Sequence, residues 1–415
     1  MTRKTTGLRE KEILIILCVE VALMMLGIGL VSPVLPQYSL TFGVNMTMVG
    51  LLITVFGAAR IIVDIPAGKL TGRIGRRPIL IVGPLIQAFS SIGCGMAVNY
   101  GMLLGFRFMQ GIGSALYTTA AMVMLADVST PANRGRLMSY YQGSLLLGSG
   151  LGPVLGGYIA QYFGLSAPFY AYAVLAFLAA LWAYLRLPET RTVSPADPPL
   201  AFGSNKPDPP PVVSTKKNVG ALLRDPNFIL ISMITFGIFF MRQGALNEIL
   251  PLLSSHRLGL KEGQIGMALT LIAIVQFIAI FPAGRLTDSL GRKAVITPAC
   301  IIASISLAMM ACCYSYSFLL LTCVVMGIGI GISGSAPSAY VADIVPRDNY
   351  GLAMGTYRAI SDFGFVIGPV LMGWLADIQG FTFALMFNCV FIFVIAIIFQ
   401  LKAKEPTRTA VILKS

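Results

Sequence analysis

The stretch Gly68-Lys69-Leu70-Thr71-Gly72-Arg73-Ile74-Gly75-Arg76-Arg77 returns later in the chain as Gly284-Arg285-Leu286-Thr287-Asp288-Ser289-Leu290-Gly291-Arg292-Lys293, an offset of 284 − 68 = 216 residues. The same offset carries Pro66 onto Pro282, Gly111 onto Gly327, Asp127 onto Asp343, Gly135 onto Gly351 and Gly152-Pro153 onto Gly368-Pro369. One unit, repeated in the same order and direction, must fold twice into the same architecture. Each copy of the stretch follows a long apolar run and carries several cations, the pattern of a short loop held on the cytoplasmic side of a membrane. A merely solvated basic turn gives no reason for Gly, Leu, Gly and Arg to return at the same spacing.

The apolar runs decide the class. At 415 residues, 56% hydrophobic and 11% charged, the chain has too little charge to clothe a soluble body and reads as a polytopic membrane protein. A net charge of +13 in a soluble domain would suggest nucleic acid. Here the cations gather in the connections between apolar runs, so they report topology instead. Seven cysteines lie scattered in apolar runs without a C-x-x-C pair and with a single His, so neither a disulfide framework nor a metal site follows. No phosphate-binding loop or paired catalytic carboxylates appear, which argues against an enzyme, a cofactor, or ATP hydrolysis by this chain.

Windows of about 20 apolar residues, enough to cross a bilayer, fall near 13–35, 47–68, 78–98, 101–125, 137–161 and 167–186, and again near 227–252, 263–284, 293–313, 317–341, 352–376 and 381–402. Twelve spans put both termini on one side. Arg3, Lys4, Arg9 and Lys11 precede the first run, and Lys69, Arg73, Arg76, Arg77, Arg134, Arg136, Arg285, Arg292, Lys293, Arg347 and the tail share that side, which is therefore cytoplasmic. Residues 191–219, rich in Pro, Ser, Asp and Lys, cannot bury a core and read as a cytoplasmic tether between halves 1–190 and 220–415.

The repeated loop resembles the G-x-L-a-D-r-x-G-r-r loop of the major facilitator superfamily, and the resemblance covers nearly the whole chain. It implies an all-α integral membrane fold of twelve transmembrane helices, arranged as two six-helix repeats. Gly68, Gly75, Arg76 and Arg77 match in the first copy and Gly284, Asp288, Gly291 and Arg292 in the second. In the family the loop Asp helps latch the halves, so with Gly72 in that place the latch is expected in the second copy rather than the first. Arg107-Phe108-Met109-Gln110-Gly111 is similar to the family's R-x-x-q-G pattern and implies that Arg107 is a cavity cation. The alternative reading is an Arg that reaches outward to the surface. Gly148, Gly152, Pro153 and Gly157 match the G-x-x-x-G-P-x-x-G-G pattern of antiporters, which implies close helix packing, a bend, and export. Ordinary small-residue packing is the alternative, because Gly364, Gly368, Pro369 and Gly373 repeat it.

Polar residues present in only one half need a reason beyond architecture. Arg60 and Asp64 correspond to Gln276 and Ile280, while Arg358 and Asp362 correspond to Gln142 and Leu146. Each Arg/Asp pair is i, i+4 and shares a helix face. The pairs read either as self-neutralised structure or as proton-coupling groups, with Asp64 first and Asp362, Glu20 and Glu248 behind it. In the alternative, Glu20 lies near the cytoplasmic end of its span and Glu248 near the outer end, where water would solvate either. In the family the first and seventh helices line the cavity, so substrate candidates are Arg60, Arg107, Gln110, Tyr117, Tyr140, Tyr141, Arg242, Gln243, Asn247, Gln276 and Arg358. The expected protein is a monomeric, proton-coupled exporter of small amphipathic compounds in the cell membrane, like the drug:proton antiporters, with small molecule, protons and lipid as its partners. A sugar or organic-acid transporter, a lipid flippase and a non-transporting receptor are the alternatives.

Overall fold

The computed structural model describes residues 2–130, 133–190, 219–334, 336–345 and 349–405. The expected tether, 191–219, lies outside the described residues except for Val219, as do Arg347 and the tail beyond Glu405. The elements are α1 (Thr2–Val31), α2 (Leu35–Leu40), α3 (Met46–Ile74), α4 (Arg76–Gly95), α5 (Tyr100–Val128), α6 (Arg134–Phe163), α7 (Ala167–Arg186), α8 (Val219–Leu222), α9 (Pro226–Phe240), a π-helical stretch Met241–Ile249, α10 (Leu250–His256), α11 (Glu262–Leu290), α12 (Arg292–Ala311), α13 (Tyr316–Ile332), α14 (Ala336–Ile344) and α15 (Tyr350–Lys402). Eleven stretches among the described residues are long and apolar enough to cross a bilayer. The last of them, Leu352–Lys402, breaks at Gly380 (φ 82°, ψ 172°) and holds two spans, which completes the twelve.

The duplication is written into the backbone. Every residue with positive φ among those described is a glycine: Gly43, Gly75, Gly164, Gly259, Gly291 and Gly380. They form three pairs at the sequence offset, since 43 + 216 = 259, 75 + 216 = 291 and 164 + 216 = 380. A side chain resists this conformation, so these are the places where one helix must stop and the next restart in a new direction. Gly75 and Gly291 each end one helix and begin the next without an intervening loop.

Two separate cores form. One joins Ile13 to Leu187 and the other Phe228 to Ala403. The halves meet along α3 with α15 and along α6 with α11. Hydrogen bonds between described residues of different halves all fall toward the end of the bundle opposite the basic loops. They are Ser32 to Asn247, Met46 and Thr47 to Asp377, Thr54 to the Val366 carbonyl, the Val154 amide to Thr270, and Tyr158 to Met267. At the basic end, Gly72, Gly135, Gly143, Gly284 and Gly355 each have open space where a Cβ would stand. The hydrogen bonds that join the described residues of the two halves therefore close the neutral end.

Candidate functional site

Glu20 stands near the middle of the span Lys11–Val31 with no exposed surface, and neither carboxyl oxygen has a hydrogen-bond partner. The expectation that it lies near an end of its span, within reach of water, is corrected: the helix starts earlier than its apolar window, which moves Glu20 inward. Tyr117 on α5 and Tyr141 on α6 are both buried and within electrostatic range of Glu20 and of each other. These three candidates form one group inside the first half. Tyr140, one residue away on α6, is 56% exposed and lies about 100° round the helix from Tyr141, outside this group.

Arg242, Gln243, Asn247 and Glu248 all fall in the π-helical stretch. A π turn adds a residue per turn and breaks the regular ladder, a geometry common where a membrane helix serves a site. Asn247 donates to Gln243 (2.8 Å) and accepts from Ser32 of the other half (3.3 Å). Arg242 is partly exposed and meets no carboxylate or hydrogen-bond acceptor among the described residues. Glu248 has no exposed surface and no partner for either oxygen. The expectation of water around it is also corrected, because Gly373 of α15 leaves room for its carboxyl beneath Met46, sealing it in.

The two i, i+4 pairs converge from opposite halves. Arg60 on α3 lies within electrostatic range of Asp64, Asp362 and Arg358, so two cations and two acids share the α3/α15 seam. Asp64 also accepts from Thr119 on α5 (3.3 Å). Gln276 is half-buried on α11, its backbone against Gly331 of α13. Arg107 is 8% exposed: it donates to Gln110 (2.6 Å), lies 4.7 Å from the Phe56 ring centroid, and Gln110 in turn donates to Ser91 (2.6 Å). The surface reading of Arg107 gives way: its side chain is held among α3, α4 and α5.

At the basic end one contact is common to both copies. Arg76 pairs with Asp127 on α5 (2.8 Å) as Arg292 pairs with Asp343 on α14 (3.0 Å). In both copies the acid comes from the helix that ends there, so Gly72 deprives the first copy of nothing in this contact. The side chain of Asp288 lies outside the described residues. Glu189 accepts from the amides of Arg76 and Arg77, and Glu405 from those of Arg292 and Lys293. A carboxylate thus caps each helix start, where backbone donors lack partners. Neither Glu was singled out from the sequence, yet 189 + 216 = 405 was the available signal. Gly68 and Gly284 make no close packing contact.

The small residues of α6 face two ways. A Cβ at Gly152 would stand 2.5 Å from Gly29 of α1, and Gly148 faces Ala22 and Leu26 of the same helix. Gly157 instead faces Glu262 and Gly263 at the start of α11, and the Pro153 carbonyl abuts Gly266. Gly148 and Gly152 therefore bind α6 within its half, whereas Pro153 and Gly157 form the seam between halves.

The family model of the Major Facilitator Superfamily matches residues 17–263 and 233–414. Multidrug resistance protein 2 of Bacillus subtilis strain 168 is 25% identical over 372 residues, 89% of this chain and 90% of that protein. Citrate exporter 1 of Aspergillus niger is 28% identical over 185 residues, 45% of this chain and 35% of that protein. A crystal structure of a bacterial homologue of the human lysosomal transporter Spinster, inward-facing and unoccupied, superposes with a TM-score of 0.78 at 17% identity over 95% of this chain and 96% of the other. With a family model covering both halves of the duplicated helical bundle, the chain is a transporter of the major facilitator superfamily.

Proposed function

We propose that the protein is a proton-coupled secondary transporter that exports small amphipathic, drug-like compounds. In this reading it works as a monomer in the cell's plasma or inner membrane, with both termini and the basic end in the cytoplasm. Halves 1–190 and 220–415 rock about the central polar groups, tethered through 191–219. The observation that carries the coupling is the pair of sealed, partnerless carboxyls, Glu20 and Glu248. An ionised carboxylate there would bear a desolvation cost of several kcal/mol with nothing to offset it. Each therefore keeps a proton while sealed and yields it when its side opens. Asp64 and Asp362 stand behind them, because Arg60 and Arg358 already offset their charge. Tyr117, Tyr141, Arg242, Gln243, Asn247 and Gln276 are the proposed substrate contacts. The names of the multidrug relatives and the glycine-proline pattern of α6 support export.

The test is transport of a panel of toxic dyes in proteoliposomes with and without a pH gradient. Glu20→Gln should abolish gradient-driven accumulation while leaving passive exchange. Undiminished accumulation in both Glu20→Gln and Glu248→Gln would remove the coupling scheme. A second reading, an anionic substrate, has one observation in its favour: Arg242 is a cation with no acid beside it. The likeness to a citrate exporter points the same way. Competition by tricarboxylates that disappears in Arg242→Gln would select it over drug-like cations.

A further inference from the structure

The start of α3 is capped from both halves of the molecule. Its own Asn45 accepts from the Met48 amide (3.0 Å), the usual local cap. The Met46 and Thr47 amides instead donate to the two oxygens of Asp377, near the neutral end of the eleventh span in α15 (2.9 and 2.8 Å), and the Thr47 hydroxyl also donates to Asp377. One carboxylate takes three hydrogen bonds at the positive end of a helix that belongs to the opposite half, the strong, charge-assisted kind. Around it the fit is close: Met46 packs against the core of the second half, and a Cβ at Gly373, one turn before Asp377, would stand 2.7 Å from the Met46 carbonyl carbon.

The duplication supplies a comparison inside the same molecule. Since 377 − 216 = 161 and 373 − 216 = 157, the counterpart seam is Gln161 and Gly157 of α6 against Glu262 and Gly263 of α11, and Gln161 does lie against Gly263. There the corresponding side chain is neutral and, among the described residues, makes no hydrogen bond to α11, where the Lys261 amide donates to Gln264 (3.1 Å). Two related seams close the neutral end, and in only one does a charged side chain cap the helix of the other half.

We propose that Asp377 is the positioning residue that holds the neutral face shut: a cap given in trans to α3, made when that face closes and broken when it opens. This extends the alternating-access reading and rests on it. Separation of the halves takes Asp377 from the Met46 and Thr47 donors and leaves both to water. Closure restores three charge-assisted bonds together. The Gln161 seam aligns α6 with α11 by packing and contributes little to the bias between states.

Two readouts test this separately. Amide hydrogen exchange in the segment 44–49 reads the cap itself: Asp377→Ala should speed exchange of the Met46 and Thr47 amides at least tenfold in the closed state, whether or not transport alternates. Distances between spin labels on Thr41 and Lys261, both exposed at the neutral end, read the gate. Asp377→Ala should raise the neutral-open population at least fivefold, Asp377→Asn less, Asp377→Glu should partly restore closure, and Gln161→Ala should change it less than twofold. Unaltered size-exclusion profiles and a second label pair at Gly72 and Arg285 guard against misfolding. Unchanged exchange in Asp377→Ala refutes the cap. Changed exchange with an unchanged gate population, in Asp377→Ala and Asp377→Asn alike, refutes the gating role. A parent protein with one distance at both faces under every pH and ligand condition refutes alternating access instead.

Discussion

Gly373→Ala is a wedge that acts in one state of the transporter only. With the neutral end closed, the added methyl would lie 2.6 Å from Glu248 Oε1 and 2.7 Å from the Met46 carbonyl carbon. The carboxyl can swing away, but the Met46 carbonyl is helix backbone, so α3 and α15 must part by several tenths of an ångström to reach ordinary contact at about 3.4 Å. Overpacking of this kind costs about 1–3 kcal/mol. The helix-propensity gain of Ala over Gly, about 1 kcal/mol, applies equally in both states and cancels. The closed-to-open ratio of the neutral face should then fall about 5- to 150-fold. The Thr41/Lys261 label pair measures it in a background with the native cysteines replaced, and Gly355→Ala, on the same helix where a Cβ meets open space, is the control. If Gly373→Ala leaves the distance distribution where Gly355→Ala leaves it, the closed neutral seam described here is not the one the protein uses.

Arg76→Gln should lower stability in detergent by about 1–3 kcal/mol, since the buried guanidinium is lost from Asp127, and Arg292→Gln by about 1 kcal/mol or less, since Asp343 is 40% exposed; thermal unfolding reads this, and a larger loss in Arg292→Gln would support the asymmetry that Gly72 suggests. Gln110→Leu should destabilise by a similar 1–3 kcal/mol while substrate affinity stays constant, because Arg107 loses its acceptor; a fall in affinity measured by ligand binding would support the cavity reading of Arg107. Asp64→Asn and Asp362→Asn should slow transport by leaving surplus positive charge in the α3/α15 seam, and Arg60→Gln or Arg358→Gln added to either should recover part of the rate; double variants no faster than the single ones would show that the four groups do not compensate one another.

The sequence by itself determined the architecture, because a repeat constrains every level at once. The 216-residue offset read from one basic loop relates the six positive-φ glycines, the Arg76–Asp127 and Arg292–Asp343 pairs and the capping Glu189 and Glu405 to one another, because a duplicated unit reproduces its own internal contacts. Spans and their count followed from bilayer thickness, which sets helix length directly. Distances between groups remote in sequence were decided only by tertiary structure. Asp64 and Asp362 each look paired within one helix, yet packing of α3 along α15 turns two local pairs into a shared cluster of four. Arg107 reads as a free membrane cation until Phe56, Gln110 and Ser91 close around it from three helices. Asp377 carries no signal in its own neighbourhood, since its partners lie more than three hundred residues away across the seam. Helix position along the chain fixes a residue's depth in the bilayer, but which face meets which neighbour depends on how two separately packed halves come to rest against each other.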